Sequence, residues 1–234
     1  EWYPYRRDWA RRAFYRRSAR SAAHVITDTE TVRQEVIAAL GIPADKVTAV
    51  PLGVSAAFRP HSDTELAEPL APYGLKAGGY ALSVSTLEPR KNLPRLLAAF
   101  GEVTDELPDH FLVVAGPVGW GPALRPTWDS VRVKLAGPVD DAVLQALYRS
   151  ADGLAYPSLY EGFGLPVLEA MANGTPVLTS DRSSLPEVAG DAAVLVDPLD
   201  RGALAKGLVR LVGDSALRRR LADAGPRRAA RFTW

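Results

Sequence analysis

The feature that most constrains this chain is a regular alternation that begins at residue 80. Apolar runs of strand length fall at 80–85, 111–115, 131–136, 153–157, 176–179 and 193–196. Segments with helical spacing lie between most of them, at 93–106, 141–150, 165–173 and shortly after Ser184. Two more, at 201–212 and 216–231, close the chain. Strands alternating with helices predict parallel βαβ units with right-handed crossovers. The expected fold class is therefore α/β, with a Rossmann-like, doubly wound parallel sheet over residues 79–234. In such sheets ligands bind at the carboxyl ends of the strands, so chemistry is sought just after each strand.

The first 54 residues read helix, strand, helix, strand. Strands are expected at 24–27 and 47–50. A helix over 30–40 stops at Gly41, a natural residue for the left-handed end of a helix. Residues 55–78 turn rich in Pro, Ala and Gly without periodicity and read as a linker between two units.

Composition excludes several function classes. The 234 residues allow one large domain, or one domain plus part of another. The balance of 28 Lys+Arg against 27 Asp+Glu gives a net charge of +1, which argues against nucleic acid as a partner. The absence of Cys removes disulfide scaffolds, thiolate zinc sites, iron–sulfur clusters and cysteine nucleophiles. His24, His61 and His110 show no metal-ligand spacing, so no metal site is expected. No run approaches the ~20 apolar residues of a membrane span, and no signal-peptide pattern appears. A cytoplasmic location is expected. The chain opens at Glu1 without Met and stops at Trp234 after an Arg-rich run, which reads as a fragment or a trimmed chain.

The first 20 residues interleave Arg6, Arg7, Arg11, Arg12, Arg16, Arg17 and Arg20 with Trp2, Tyr3, Tyr5, Trp9, Phe14 and Tyr15. One reading is a surface helix that packs its aromatics on its own domain. The other is peripheral contact with an anionic membrane at its inner face.

Two loops carry the chemistry. After the run at 80–85 come Thr86, Leu87, Glu88, Pro89, Arg90, Lys91, Asn92, Leu93 and Pro94. Asn92 is a plausible helix N-cap, and Pro94 sits where a first turn tolerates it. Arg90 and Lys91 then project beside a helix N-terminus, a good pair for a diphosphate, or else a solvated basic turn. After the run at 153–157 come Ser158, Leu159, Tyr160, Glu161, Gly162, Phe163, Gly164, Leu165 and Pro166, with Glu169 inside the helix that follows. Gly162 and Gly164 let backbone amides approach a ligand closely. Glu161 and Glu169 suit two sets of sugar hydroxyls, since an ionised carboxylate only accepts. Otherwise Glu169 is a surface residue, and Glu161 a charge favoured by the helix dipole.

Ser184, Leu185, Pro186 and Glu187 form an S-x-x-E capping box, which makes Glu187 structural. Asp140 or Asp141 is an expected N-cap. The loop from Gly116 to Gly121 is no dinucleotide fingerprint, because no helix pattern follows it.

The basic pair, Glu-Gly-Phe-Gly-Leu-Pro and a second Glu eight positions after the first together resemble the retaining glycosyltransferases of family 4, of GT-B fold. The match runs from about Thr48 to Trp234 and includes Gly174-Thr175-Pro176-Val177, Ser184 to Gly190 and Val50 to Val54. The two acids of the family's E-x7-E element correspond to Glu161 and Glu169. The resemblance implies a metal-independent hexosyltransferase without a cofactor, using a nucleoside-diphosphate sugar as donor and a glycan, lipid-linked or small-molecule acceptor. It implies that Glu161 contacts the donor sugar, Glu169 the ribose, and Arg90 and Lys91 the diphosphate, assisted by the amides of Phe163, Gly164 and Leu165. Val139 and Asp141 become candidates for the base, and with the Thr86–Asn92 element they favour a GDP-mannose-like donor. Residues 1–54 would be the end of a partial N-terminal Rossmann-like, acceptor-side domain. The Gly-rich loop and active-site histidine of the family's first domain have no match here. A nucleotide-sugar binding module without turnover and a GT-B sugar phosphorylase are the competing readings.

Overall fold

The computed structural model describes residues 9–58, 70–75, 77–120 and 132–234. Trp2 to Arg7, His61, Gly121, Val131 and half of the expected linker lie outside the described residues. The first unit contains α1 (Trp9–Ser21), β1 (Val25–Thr27), α2 (Glu30–Leu40) and β2 (Val47–Ala49). β1 and β2 pair in parallel. Thr29 caps α2 by accepting from the Val32 amide, and Gly41 ends it at φ 61.

The second unit is built on β3 (Tyr80–Val84), β4 (Phe111–Ala115), β5 (Val133–Gly137), β6 (Gly153–Tyr156), β7 (Val177–Ser180) and β8 (Val194–Val196). These form one parallel sheet in the order β5-β4-β3-β6-β7-β8. Its helices are α3 (Leu93–Glu102), α4 (Asp141–Ser150), α5 (Leu165–Ala172), α6 (Leu185–Ala189), α7 (Arg201–Gly213) and α8 (Ser215–Ala229). Successive residues of each strand point to opposite faces. Tyr80, Leu82, Leu154 and Tyr156 therefore enter one core with Leu147, Val167 and Leu168. Ala81, Ala155 and Leu178 enter the other with Leu96, Phe100, Leu204 and Leu208. Helices on both faces and the order above make this the expected doubly wound sheet. The strand order reverses between β3 and β6, so a crevice opens at their carboxyl ends.

Three sequence expectations need correction. The helix expected over 93–106 ends at Glu102. Residues 103–109 continue as turns that keep Val103 and Leu107 buried, and Pro108 blocks a further helical turn. The capping box at Ser184 does not form, because neither partner stays local. The Ser184 hydroxyl turns to the Glu161 carbonyl at 2.8 Å, and Glu187 reaches into the first unit. There its carboxylate accepts from the Glu30 amide (2.8 Å), the Thr31 amide (2.9 Å) and the Thr31 hydroxyl (2.9 Å). It thus satisfies orphan donors at the start of α2 and complements that helix dipole. Finally, α1 does not pack its described aromatics on its own domain. Trp9, Phe14 and Tyr15 are 79%, 64% and 51% exposed, while α1 packs beside α2.

A second seam joins the units. The Val54 amide donates to the Phe232 carbonyl at 3.1 Å, and Phe232 meets Phe163 edge-on at 5.8 Å. A Cβ at Gly53 would lie 2.5 Å from the Trp234 backbone nitrogen, so the chain passes there only as glycine.

Candidate active site

The loops after β3 and β6 meet at the reversal point. A backbone bond from the Leu159 amide to the Arg90 carbonyl (2.8 Å) holds them together. Asn92 adds a second tie. It stands at the N-cap position of α3, as expected, but its side chain does not cap the helix. Its amide donates instead to the Pro157 carbonyl (3.1 Å) and the Pro198 carbonyl (2.7 Å), with the backbone at φ 60. Asn tolerates that left-handed conformation better than most residues. Asp140 does cap α4, accepting from the Val143 amide at 2.9 Å.

These ties converge Arg90, Lys91 and Glu161. Arg90 donates to Glu161 Oε2 (2.5 Å), to the Tyr160 carbonyl (2.9 Å) and to Glu88 Oε1 (2.5 Å). Lys91 Nζ donates to Glu161 Oε1 at 2.7 Å and to the Tyr156 hydroxyl at 2.5 Å. Tyr156 in turn donates to Glu161 Oε1 at 2.8 Å. Two cations and two carboxylates make this cluster neutral overall. Burial alone would push the Glu161 carboxyl up, yet Lys91 and Arg90 hold it below the usual carboxylate range. Burial pushes Lys91 below the ordinary lysine value, although Glu161 pulls the other way. For Arg90 burial is outweighed by Glu161 and Glu88, and its pKa rises.

The cluster opens on a cavity of about 490 Å³. Lys91, Glu161, Tyr156, Ser85 and Thr86 supply its polar wall, and Leu52, Val139 and Leu144 part of its apolar wall. Phe163, Gly164, Leu165 and Pro166 line it from the start of α5. Gly164 has φ 113, and a Cβ there would lie 2.7 Å from Leu185 Cδ2. Gly116, after β4, is tighter still. It has φ 138, and a Cβ would lie 2.1 Å from the Ser85 carbonyl oxygen.

Of the expected site residues, Arg90, Glu169, Asp141 and Gly162 lie off this cavity wall. Glu169 is mostly buried and accepts from the Tyr148 hydroxyl at 2.8 Å. Burial raises its pKa, the Tyr148 hydrogen bond opposes this, and Asp141 nearby adds to the rise. Asp141 is exposed in the first turn of α4. Gly162 sits in the loop facing the first unit, its carbonyl accepting from the Thr29 hydroxyl at 3.1 Å. Among the described residues no group of three His, Asp or Glu side chains is placed to hold a metal ion. His24 pairs with the Thr48 hydroxyl (2.8 Å), and His110 lies 3.5 Å from Asp152.

Sequence reasoning passed over Tyr156, Tyr148, Glu88 and Gly116. Tyr156 ends a strand, whereas attention fell on the residues after strands. The signal for Gly116 was its place directly behind β4.

Residues 76–228 match the family model described as "Glycosyl transferases group 1". The chain belongs to the glycosyl transferases group 1 family. Residues 2–53 match a "Glycosyl transferase 4-like domain". The chain is 36% identical over 222 residues to O-antigen chain mannosyltransferase B of Escherichia coli, covering 92% of this chain and 58% of that protein. It is 32% identical over 226 residues to an MMP alpha-(1->4)-mannosyltransferase of Mycolicibacterium hassiacum, covering 94% and 53%. This glycosyl transferase chain thus spans between half and three-fifths of the length of those relatives. Among solved structures, sucrose-phosphate synthase of Thermosynechococcus elongatus superposes with a TM-score of 0.81 at 26% identity, over 96% of this chain and 57% of that one. HepE of Anabaena, solved with UDP and glucose, gives 0.83 at 19% identity, over 96% and 63%. The architecture is of the GT-B type.

Proposed function

We propose that this chain is the donor-binding part of a retaining, family 4 hexosyltransferase that uses a nucleoside-diphosphate sugar. The observation that carries this reading is the convergence of Arg90 and Lys91 on Glu161 at the point where the strand order reverses. Two mannosyltransferases among the relatives favour mannose as the sugar, and the Thr86–Asn92 element with Asp141 favours a GDP-linked donor.

When the bond from the anomeric carbon to the diphosphate oxygen breaks, its electron pair stays on the leaving diphosphate. Arg90 and Lys91 supply the positive charge that meets it, Lys91 by turning from Glu161 to the diphosphate. They would serve in place of a divalent cation, so chelation should leave turnover unchanged. Amides of Phe163, Gly164 and Leu165 at the start of α5 add a favourable helix end. Glu161 accepts from the sugar hydroxyls, and Glu169 from the ribose. Val139 and Asp141 are assigned to the base. A glycan, a lipid-linked or a small-molecule acceptor completes the reaction.

A peripheral membrane role for α1 rests on its exposed Trp9, Phe14 and Tyr15 beside exposed Arg16, Arg17 and Arg20. Vesicles rich in anionic lipid should sediment the protein and neutral vesicles should not. Equal sedimentation would remove that role.

The donor assignment is tested by titrating the protein with GDP, UDP and ADP and with their sugar conjugates. Glu169→Ala should weaken the free nucleotide. Glu161→Ala should spare it and weaken the nucleotide sugar. Wild-type nucleotide affinity in both variants would overturn the ribose assignment.

A further inference from the structure

Tyr156 lines the polar wall of the cavity beside Lys91 and Glu161. It closes β6, is 2% exposed, and its carbonyl is held by the Thr179 hydroxyl at 2.8 Å. Its hydroxyl has one proton to give. A lysine ammonium cannot accept a hydrogen bond, so the direction of each contact is fixed. Lys91 donates to the Tyr156 oxygen, and Tyr156 donates to Glu161 Oε1. Lys91 also donates to that same Oε1, and its ammonium lies 4.9 Å from the centroid of the Tyr156 ring. The three groups form a closed triangle around one carboxylate oxygen.

That triangle faces a conflict when a diphosphate arrives. The diphosphate needs Lys91, and Lys91 is engaged with Glu161. A buried carboxylate that loses its cation is costly to leave unpaired. Arg90 holds Oε2 only, and it is itself shared with Glu88.

Resting on the donor-site reading above, we infer that Tyr156 is a positioning residue. Its hydroxyl keeps Glu161 Oε1 hydrogen-bonded and aimed at the donor sugar while Lys91 turns to the diphosphate. Burial and the adjacent Glu161 hold the phenol pKa well above 10, so this donor persists across the working pH range. Tyr156 acts through Glu161, and its contribution belongs to the sugar rather than the nucleotide.

The experiment is calorimetric titration with GDP and with GDP-mannose at several pH values from about 7 down to about 3.5, across the range where a carboxylate of lowered pKa titrates. The proteins are wild type, Tyr156→Phe, Glu161→Gln and the double variant. Tyr156→Phe should bind GDP within about threefold of wild type and GDP-mannose about tenfold more weakly, the loss expected for one hydrogen bond to a charged group. The acid limb of its GDP-mannose affinity should move to higher pH, because Glu161 loses a donor that favours its ionised form. On a Glu161→Gln background the same change should matter less than twofold. Tyr156→His, which retains a ring donor, should recover part of the loss. It also supplies the readout if Tyr156→Phe does not melt cooperatively.

A wild-type GDP-mannose affinity and pH profile in Tyr156→Phe would overturn the inference. So would an undiminished tenfold loss on top of Glu161→Gln, which would mean packing alone. If the wild-type protein binds neither GDP nor GDP-mannose, the donor-site reading fails first and takes the inference with it.

Discussion

Lys91 and Glu161 are each largely buried; removing Glu161 strands the Lys91 charge, whereas removing Lys91 leaves Glu161 with Arg90 as its one cationic partner in the cluster. Lys91→Ala should cost donor affinity and turnover about 2–3 kcal/mol, roughly 30- to 150-fold, as expected for a lost charge-assisted contact. Kinetics with the nucleotide sugar check this, and unchanged kcat/KM would remove Lys91 from the site. Glu161 also links stability to pH. Its folded pKa lies below the ordinary carboxylate value, so its stabilisation is present above the unfolded pKa of about 4.3. It is lost as pH falls through the folded pKa. Wild type should therefore be more stable than Glu161→Gln at pH 7, with the gap shrinking below about pH 4. Glu169 has the opposite sign, since burial lifts its pKa. The affinity for free nucleotide should start to fall on the acid side above the usual carboxylate range. A nucleotide affinity flat from about pH 7 to pH 4 would argue against its ribose role.

At the scale of elements, the site depends on loops meeting at the ends of β3, β4 and β6. Gly116→Ala would force a Cβ to within 2.1 Å of the Ser85 carbonyl oxygen, in a conformation that only glycine adopts easily. Destabilisation of about 2–4 kcal/mol is expected by thermal unfolding. Gly101 in α3 has nothing within 4 Å, so Gly101→Ala should be neutral or stabilising by about 0.5 kcal/mol. Glu187→Gln should loosen the start of α2 by about 1–2 kcal/mol, visible as faster amide exchange over α2 with α7 unchanged. The strands and most helices of the second unit were legible because their side chains answer to burial on both faces, which leaves a mark in apolar runs. The Gly41 helix end and the Asp140 cap were legible because they are local. Ser184 and Glu187 were misread for the same reason. The local S-x-x-E spacing was present, but Glu161 and the α2 amides offered partners from about 20 and 150 positions away, and no spacing rule encodes them. Arg90, Lys91 and Glu161 could be picked out from two loops, whereas the bridging hydroxyl of Tyr156 depends on how β6 lies beside β3.

Among the described residues, the contacts that join the two units include Glu187 on the start of α2, Thr29 on the Gly162 carbonyl, Tyr160 on Glu35 at 2.5 Å, and Val54 on the Phe232 carbonyl. The loop from Tyr160 to Phe163 makes two of these contacts itself, through the Tyr160 hydroxyl and the Gly162 carbonyl. Its position therefore depends on both units, which suits a site completed from two sides. No helix among the described residues is long and apolar enough to cross a membrane. The central claim is that Arg90, Lys91 and Glu161 form the diphosphate and sugar site. Calorimetric titration of wild type, Lys91→Ala and Glu161→Ala with GDP-mannose and GDP tests it most directly. Wild type should bind both, Lys91→Ala should weaken both, and Glu161→Ala should weaken GDP-mannose alone. Binding that neither substitution changes would contradict it.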